Sequence, residues 1–566
     1  MPIAQDSAAA KPGELEGFDP LARLRSPATM FWMAAFALIA LGLLGRATRY
    51  LPGWGPWGDE TALVSNILDR DYAGLLRPLD STQVAPVGYL WIAKASTDVF
   101  GIGEHSLRLP SLLCSLATLL LMVYIARAVT HGWAAVLAIG IVAVSHYQIR
   151  HGTEMKQYAL ECCVSAALLA LALGAARLRP GAAWGLVALT PLAMISSLGA
   201  VFVVGGISLA LLPIVWERRL LSWWLWYAVY NAVVGMSFLA VFFLILRPQM
   251  AVHFSTMDTC WNGQMPDWHA PLELLAWLYR TATGSIFAHP LGGENSGGLP
   301  CAILFWIGVA AMWRRGDFLF LRLLAATFGL AIVAAVLRKY PLGGHPRLVL
   351  YLAPLVTIPI AVGLASLVGW RAPDARTKLR RGLFALSVLV AIGLGGITRD
   401  LVKPYFSPCS RDLRSFARWF WTDYAASQPG PLVCVAQDNR VLPNAPREHD
   451  YLRARYQRTP NRPLAPVPER IDQPTGLVLC TPVYQVDYQT LLPAWRAALQ
   501  ERFDVFGHET FHVNSSNHDL AVRYDILWVR PCPASQAHVE VLSSQRPASP
   551  SSPGVVLSPR VWARRR

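Results

Sequence analysis

Charge is what this 566-residue chain has least of: 15% of its residues are Asp, Glu, Lys or Arg, against 54% that are hydrophobic. Soluble domains carry about 25% charged residues. A chain this long and this poor in charge cannot hide its apolar side chains in one water-soluble core, so the excess must face lipid. Acidic residues are the scarcer sign, 35 against 50 Lys and Arg, which leaves a formal net charge of +15. In a soluble protein that excess would suggest nucleic acid. Here the arginines flank apolar runs, where they set topology, so nucleic acid is not an expected partner. No CxxC pair and no His/Cys cluster is present, so a zinc site has no ligand set. Of the 9 cysteines, Cys114, Cys162 and Cys163 fall inside apolar runs as packing residues. Cys260, Cys301, Cys409, Cys434, Cys480 and Cys532 lie in or beside segments placed outside, and their pairing is not legible in the sequence. The apolar runs hold few charges and show no inverted repeat, which counts against a transporter or lipid flippase.

What is present is a series of apolar runs of about 15–22 residues, close to the roughly 20 needed to cross a bilayer. Placing basic clusters inside predicts about eleven spans. They are Met30–Leu44, Leu109–Arg127, Trp133–Ser145, Tyr158–Ala175, Ala183–Ile195, Gly199–Val215, Trp223–Leu246, Ala302–Trp313, Phe318–Val336, Leu348–Leu367 and Leu383–Ile397. Arg127, Arg177 and Arg179, Arg218 and Arg219, Arg314 and Arg315, and Arg371–Arg381 then share one side. The first run reads as an uncleaved signal anchor. Val87–Phe100 is apolar but short, and it contains Lys94 and Asp98, so it is expected to lie at the interface.

The expected fold is an α-helical polytopic membrane protein with a small α/β extracytoplasmic C-terminal domain. Residues 1–28 form a cytoplasmic disordered tail. Residues 29–399 form the transmembrane domain, with outer loops 46–108, 247–299 and 338–347. Residues 400–534 form the outer domain, with strands at Leu432–Val435, Gly476–Leu479 and Ile526–Val529 and a helix at Leu491–Phe503. Residues 535–566, rich in Ser, Pro and Arg, form a disordered tail.

Three outward segments collect polar residues at the membrane surface. The first, 50–86, contains Trp57-Gly58-Asp59-Glu60 and Gln83-Val84-Ala85-Pro86. The second is Ser145–Tyr158, with Arg150, His151, Glu154 and Lys156. The third is Arg338–Arg347, with Lys339 and His345. Each has an ordinary structural explanation. Asp59 and Glu60 suit a helix N-terminus, Arg150 and Glu154 suit a helical ion pair, and Gly343-Gly344 suits a turn. Together they pair carboxylates with Arg, Lys and His on one face. That set serves a transferase in which cations hold a phosphate leaving group and a carboxylate takes the acceptor's proton.

These motifs resemble the GT-C class of polyprenyl-phosphate-sugar-dependent glycosyltransferases, in its protein-mannosyltransferase and aminoarabinose-transferase branch. The resemblance covers about residues 30–370. It is carried by Trp57–Glu60, Gln83–Pro86, Glu104-His105-Ser106-Leu107-Arg108-Leu109-Pro110-Ser111, Glu154-Met155-Lys156-Gln157-Tyr158 and the loop from Tyr340-Pro341 to Arg347. It implies inverting transfer of a sugar from a polyprenyl-phosphate donor to an extracytoplasmic acceptor. The protein would lie in the inner (plasma) membrane with its active site outside. Asp59 matches the family's base, with Glu60 beside it to hold geometry or meet the acceptor. Lys156, Lys339, His345 and Arg347, with Arg150 and His151, are the expected phosphate ligands. Lys156 stands where Arg is usual, and it binds phosphate as a point charge. No cofactor is expected; Glu154 leaves a divalent metal open. A scaffold that keeps the fold without activity is the remaining alternative, and the intact Asp59-Glu60 pair counts against it.

Overall fold

The computed structural model describes residues 27–56, 58–80, 83–251, 264–266, 269–293, 296–403, 408–434, 451, 455, 470–482, 488–513, 522–531 and 560–561. The N-terminal tail before Pro27, Trp57 and much of the second outer loop lie outside these residues, as do the side chains of the outer cysteines other than Cys301. Cys114, Cys162, Cys163 and Cys301 are free thiols.

The chain is an integral membrane protein. Among the described residues, eight helices are long and apolar enough to cross a bilayer. Shorter helices, Trp133–Val144, Pro180–Ser196 and Leu299–Arg315, occupy the other three predicted positions. Trp133–Val144 is 12 residues long, and every residue from Ala134 onward is buried. It sits at the centre of the bundle, where Leu38, Leu389 and Val144 crowd the glycines facing it or lying on it. A helix wrapped in protein rather than lipid has no need to match the bilayer thickness. Helices Leu299–Arg315 and Ala353–Gly369 approach backbone to backbone. A Cβ on Gly308 would lie 1.8 Å from the Pro359 carbonyl oxygen, and one on Gly363 would lie 1.9 Å from that of Leu304. Small residues at such crossings bring membrane helices together through packing.

The first span is longer than its apolar core. Helix Pro27–Tyr50 carries Arg46, expected to open the first outer loop, inside the protein. There its Nε donates to Ser115 Oγ at 2.7 Å and its Nη1 to the carbonyls of Gly42 and Ala143 at 3.0 and 3.2 Å. Hydrogen bonds of this kind offset part of the cost of burying a charge. Three residues on, Arg49 pairs with Asp400 at 2.5 Å, near the end of the last span, helix Ala375–Val402. The two ends expected on the outer side are therefore on one side of the bundle. The basic cluster Arg376–Arg381 falls in the first turns of that helix, after Asp374, whose Oδ1 accepts the Thr377 N–H at 2.6 Å as an N-cap.

Val87–Phe100 is a helix of 14 residues with one buried face, Val87, Tyr89, Leu90 and Ala93 among it. The C-terminal region carries a five-stranded sheet of order β1-β2-β4-β3-β5. Its strands are Leu432–Cys434 (β1), Thr475–Pro482 (β2), Phe503–Val513 (β3), Val522–Pro531 (β4) and Arg560–Val561 (β5). β1 and β2 run parallel, and β4 is antiparallel to both β2 and β3. Two expectations are corrected here. The helix is Tyr488–Gln500, so Phe503 opens a strand rather than closing a helix. Its run Phe503–Val513 alternates with Gly507, His508, Glu509 and His512, which masks the apolar period. Arg560–Val561, inside the tail expected to lack structure, pairs in parallel with β3.

The C-terminal domain is not a separate globule. Phe416, Phe420, Tyr524, Ile526 and Trp528 share one buried cluster with Leu63, Val64, Ile67, Tyr89 and Leu107 of the outer loop and second span. The sheet thus rests on the helix that begins with the candidate base.

Candidate active site

Asp59 and Glu60 occupy the first turn of helix Gly58–Asp69, where the helix dipole favours carboxylates. The strand of chain leading to it is pinned by its carbonyls. Arg108 donates to the carbonyl oxygens of Trp54 and Gly55, the latter at 3.4 Å, and Arg414 donates to that of Gly53 at 2.5 Å. Gly53 has φ +57, and a Cβ there would meet the His105 ring at 2.6 Å. Only glycine fits that turn.

From this start the two carboxylates part. Glu60 turns inward and is fully buried. Its Oε2 pairs with Arg108 Nη2 at 3.1 Å, and its Oε1 accepts the Met155 N–H at 2.6 Å. Asp59 stays 26% exposed and is held by two cations. Lys156 Nζ lies 3.1 Å from Oδ1 and Arg347 Nη1 lies 3.0 Å from Oδ2. Lys156 Nζ also donates to Gln83 Oε1 at 2.8 Å. The loops that carry Asp59, Lys156 and Arg347 thus meet at one carboxylate.

Local structure explains the aim of each cation. The backbone of Met155-Lys156 is fixed between Glu60 and Ser111, whose Oγ donates to the Lys156 carbonyl at 3.1 Å. Arg347 is the second residue of the 3-10 turn Pro346–Leu352; its backbone N–H is accepted by His345 Nδ1 at 3.1 Å, and its guanidinium lies over the Tyr158 ring at 5.7 Å. The His345 ring stands 5.8 Å from that of His151.

The remaining candidates divide. Arg150 Nε donates to Glu154 Oε1 at 3.0 Å and His151 Nδ1 meets Oε2 at 2.6 Å, so both oxygens of Glu154 are engaged by side chains of its own loop. Arg150 and His151 therefore brace the second loop rather than reach Asp59. Lys339 is exposed, and among the described residues no ion pair or hydrogen bond ties its side chain to the cluster. It follows the helix end, where its N–H bonds the Ala334 carbonyl at 2.8 Å. Among the described residues no group of three His, Cys, Asp or Glu side chains is placed to hold a metal ion.

The charges are tuned by contact. Burial pushes the Asp59 carboxyl up, but the Lys156 ammonium and the Arg347 guanidinium outweigh it and hold the group below the ordinary carboxylate range. Burial also raises Glu154, and His151 and Arg150 overcome it in the same way. Burial pulls Lys156 below the usual lysine value, with Asp59 opposing. His345 is lowered to about 3 by burial and by Arg347. The site therefore presents an ionised, reachable carboxylate, two cations that an arriving anion can recruit, and the neutral imidazole of His345 beside them.

Sequence reasoning assigned no role to Gln83, Glu104 or Arg108, although all three stand in the motifs quoted above. Glu104 and Arg108 are four apart on one helix, a spacing that sets both on one face.

Residues 84–244 match the model of the family described as dolichyl-phosphate-mannose-protein mannosyltransferase. No curated protein matches the sequence. Among solved structures, the apo form of ArnT from Cupriavidus metallidurans aligns over 88% of this chain and 98% of its own, at 14% identity and a TM-score of 0.50. The same protein bound to undecaprenyl phosphate aligns at 13% identity and 0.49, over 88% of this chain and 97% of its own. The oligosaccharyltransferase AglB of Archaeoglobus fulgidus, in complex with an inhibitory peptide and a dolichol-phosphate, aligns over 77% of this chain and 64% of its own, at 12% identity and 0.46. The fold is ArnT-like. The resemblance read from the motifs holds, with the segment from Val84 to Leu244 matched by the mannosyltransferase family.

Proposed function

We propose that this chain transfers a sugar from a polyprenyl-phosphate donor to a hydroxyl acceptor on the extracytoplasmic side of the inner membrane, with inversion at the anomeric carbon. The observation that carries the reading is Asp59, reachable from solvent and clasped by Lys156 and Arg347 from two other loops. The matched family is named for a dolichyl-phosphate-linked sugar, and ArnT has been crystallised with undecaprenyl phosphate, which supports a lipid phosphate as the donor.

In this scheme the donor's phosphate recruits Lys156 and Arg347. Asp59 then has less positive charge against it, and its proton affinity rises. The acceptor hydroxyl loses its proton to Asp59 as its oxygen bonds to the anomeric carbon. The carbon–oxygen bond to phosphate breaks, and the phosphate leaves with the electron pair, its charge met by the two cations. Arg347 offers a planar fork and Lys156 a point charge. Glu60 carries no chemistry here: with Arg108 and the Met155 amide it fixes the helix that aims Asp59. No cofactor enters the scheme.

The reading is tested on lipid-linked sugars extracted from a deletion strain. The donor accumulates in the deletion and in cells complemented with Asp59→Asn, and falls to normal with the wild-type chain. If Asp59→Asn clears the donor as well as wild type, the base assignment is lost. If no lipid-linked sugar accumulates in the deletion, the transferase reading itself fails.

A further inference from the structure

The C-terminal sheet and the helix before it, Pro408–Trp419, reach the loop that carries Asp59 through one buried carboxylate. Glu104, first residue of helix Glu104–Val129, is 0% exposed, yet it touches two cations of the outer domain. Arg414 Nε lies 3.3 Å from its Oε1 and Arg455 Nε lies 3.0 Å from its Oε2. Both arginines also hold backbone nearby: Arg414 donates to the Gly53 carbonyl at 2.5 Å and Arg455 to that of Ile102. One turn along the same helix, Arg108 grips Glu60 and the carbonyls of Trp54 and Gly55. Two routes therefore run from the outer domain to the start of the Asp59 helix. One passes through Arg414 and Gly53, the other through Glu104 and Arg108 to Glu60. The shared apolar cluster under the helix completes the seat.

We infer that Glu104, through Arg414 and Arg455, is a positioning residue for Asp59, and that the C-terminal domain keeps the candidate base in register with Lys156 and Arg347. This rests on the transferase reading above. A carboxylate displaced by about 1 Å from its productive place can lose on the order of a hundredfold in rate, so a domain that adds no reacting group still governs turnover. The groups facing Asp59 are Lys156, Arg347, Gln83 and Tyr158, with Glu60 behind it. Loosening the helix weakens the two ion pairs first and lets the Asp59 carboxyl rise toward its ordinary value.

The test uses the full chain in lipid nanodiscs with a polyprenyl-phosphate sugar isolated from the deletion strain. Glu104→Gln and Arg455→Ala are expected to lower kcat about tenfold, leave KM for the donor within about twofold, and move the acid limb of kcat/KM to higher pH. Arg455→Lys, which keeps the charge, is expected to recover most of the rate. Melting curves on the same samples show the fraction folded. The inference is overturned if Glu104→Gln keeps normal kcat and an unmoved acid limb. It is equally overturned if its loss is wholly a loss of folded protein, with normal activity per folded molecule. Asp59→Asn, run alongside, separates the two readings. Inactive Asp59→Asn with normal Glu104→Gln removes this inference alone, whereas active Asp59→Asn removes the base assignment beneath it.

Discussion

Replacing Asp59 by Asn and Glu60 by Gln makes the same chemical change at neighbouring positions, and the structure assigns the two opposite consequences. Glu60 has no exposed side-chain surface, and its partner Arg108 is 2% exposed. Removing the charge of Glu60 leaves a buried guanidinium facing the Trp54 and Gly55 carbonyls with no anion, a loss of about 3–5 kcal/mol in stability. Asp59 is 26% exposed. Its amide keeps an acceptor for Lys156, and solvent screens the rest, so the stability cost is about 1–2 kcal/mol after discounting for exposure. On the proposed role as base, its expected cost in rate is larger. Losing a general base lowers transfer at least about a hundredfold, which is about 2.7 kcal/mol of barrier.

Two measurements on each variant separate these effects: initial rates of sugar transfer from lipid donor, and melting by fluorescence-detected size exclusion. Asp59→Asn is expected to melt close to wild type, bind donor and turn over at a hundredth of the rate or less. Glu60→Gln is expected to melt several degrees lower, with residual activity that tracks the folded fraction. The reasoning is refuted if Asp59→Asn transfers at a near-normal rate. It is refuted equally if Glu60→Gln melts like wild type while turnover is abolished, since the roles would then be exchanged.

Three further outcomes follow from other parts of the molecule. Gly363→Ala places a methyl group 1.9 Å from the Leu304 carbonyl oxygen, so the two helices must part at a cost of about 1–3 kcal/mol; Gly395→Ala, with nothing within 4 Å, should melt at or slightly above wild type in detergent. Burial lowers His146 and His345 to about 3 and His289 to about 4, against about 6.5 when unfolded. Between these values the unfolded chain binds more protons, so stability is full above about pH 6.5 and falls as pH drops toward about 3; melting temperatures that stay flat from pH 7.5 to 5 would show these rings to be solvated. A reporter that works only in the cytoplasm, fused after Val529, should be silent; a strong signal would mean that the span count is off by one.

The apolar runs decide the membrane fold before any packing is known, because the bilayer demands about 20 apolar residues whatever surrounds them. The ladder of arginine clusters similarly yields an orientation, and Asp59, Lys156 and Arg347 were legible as motifs because each loop follows a recognisable span. Composition does not report which polar groups share a cavity. Nothing local distinguishes Asp59 from Glu60, yet a helix start turns one toward Lys156 and Arg347 and the other toward Arg108 and the Met155 amide. Lys339 and Lys156 look alike in sequence, but one follows a helix end into solvent while the other is drawn under Ser111 and Gln83. Strand Phe503–Val513 was hidden because both its faces are covered in part, one by helix Tyr488–Gln500 and one by the membrane domain, which blurs the period of two. The link from Arg414 and Arg455 to Glu104 joins residues more than 300 positions apart. Pairings at that distance are set by how the chain returns over itself, and only the tertiary structure supplies them.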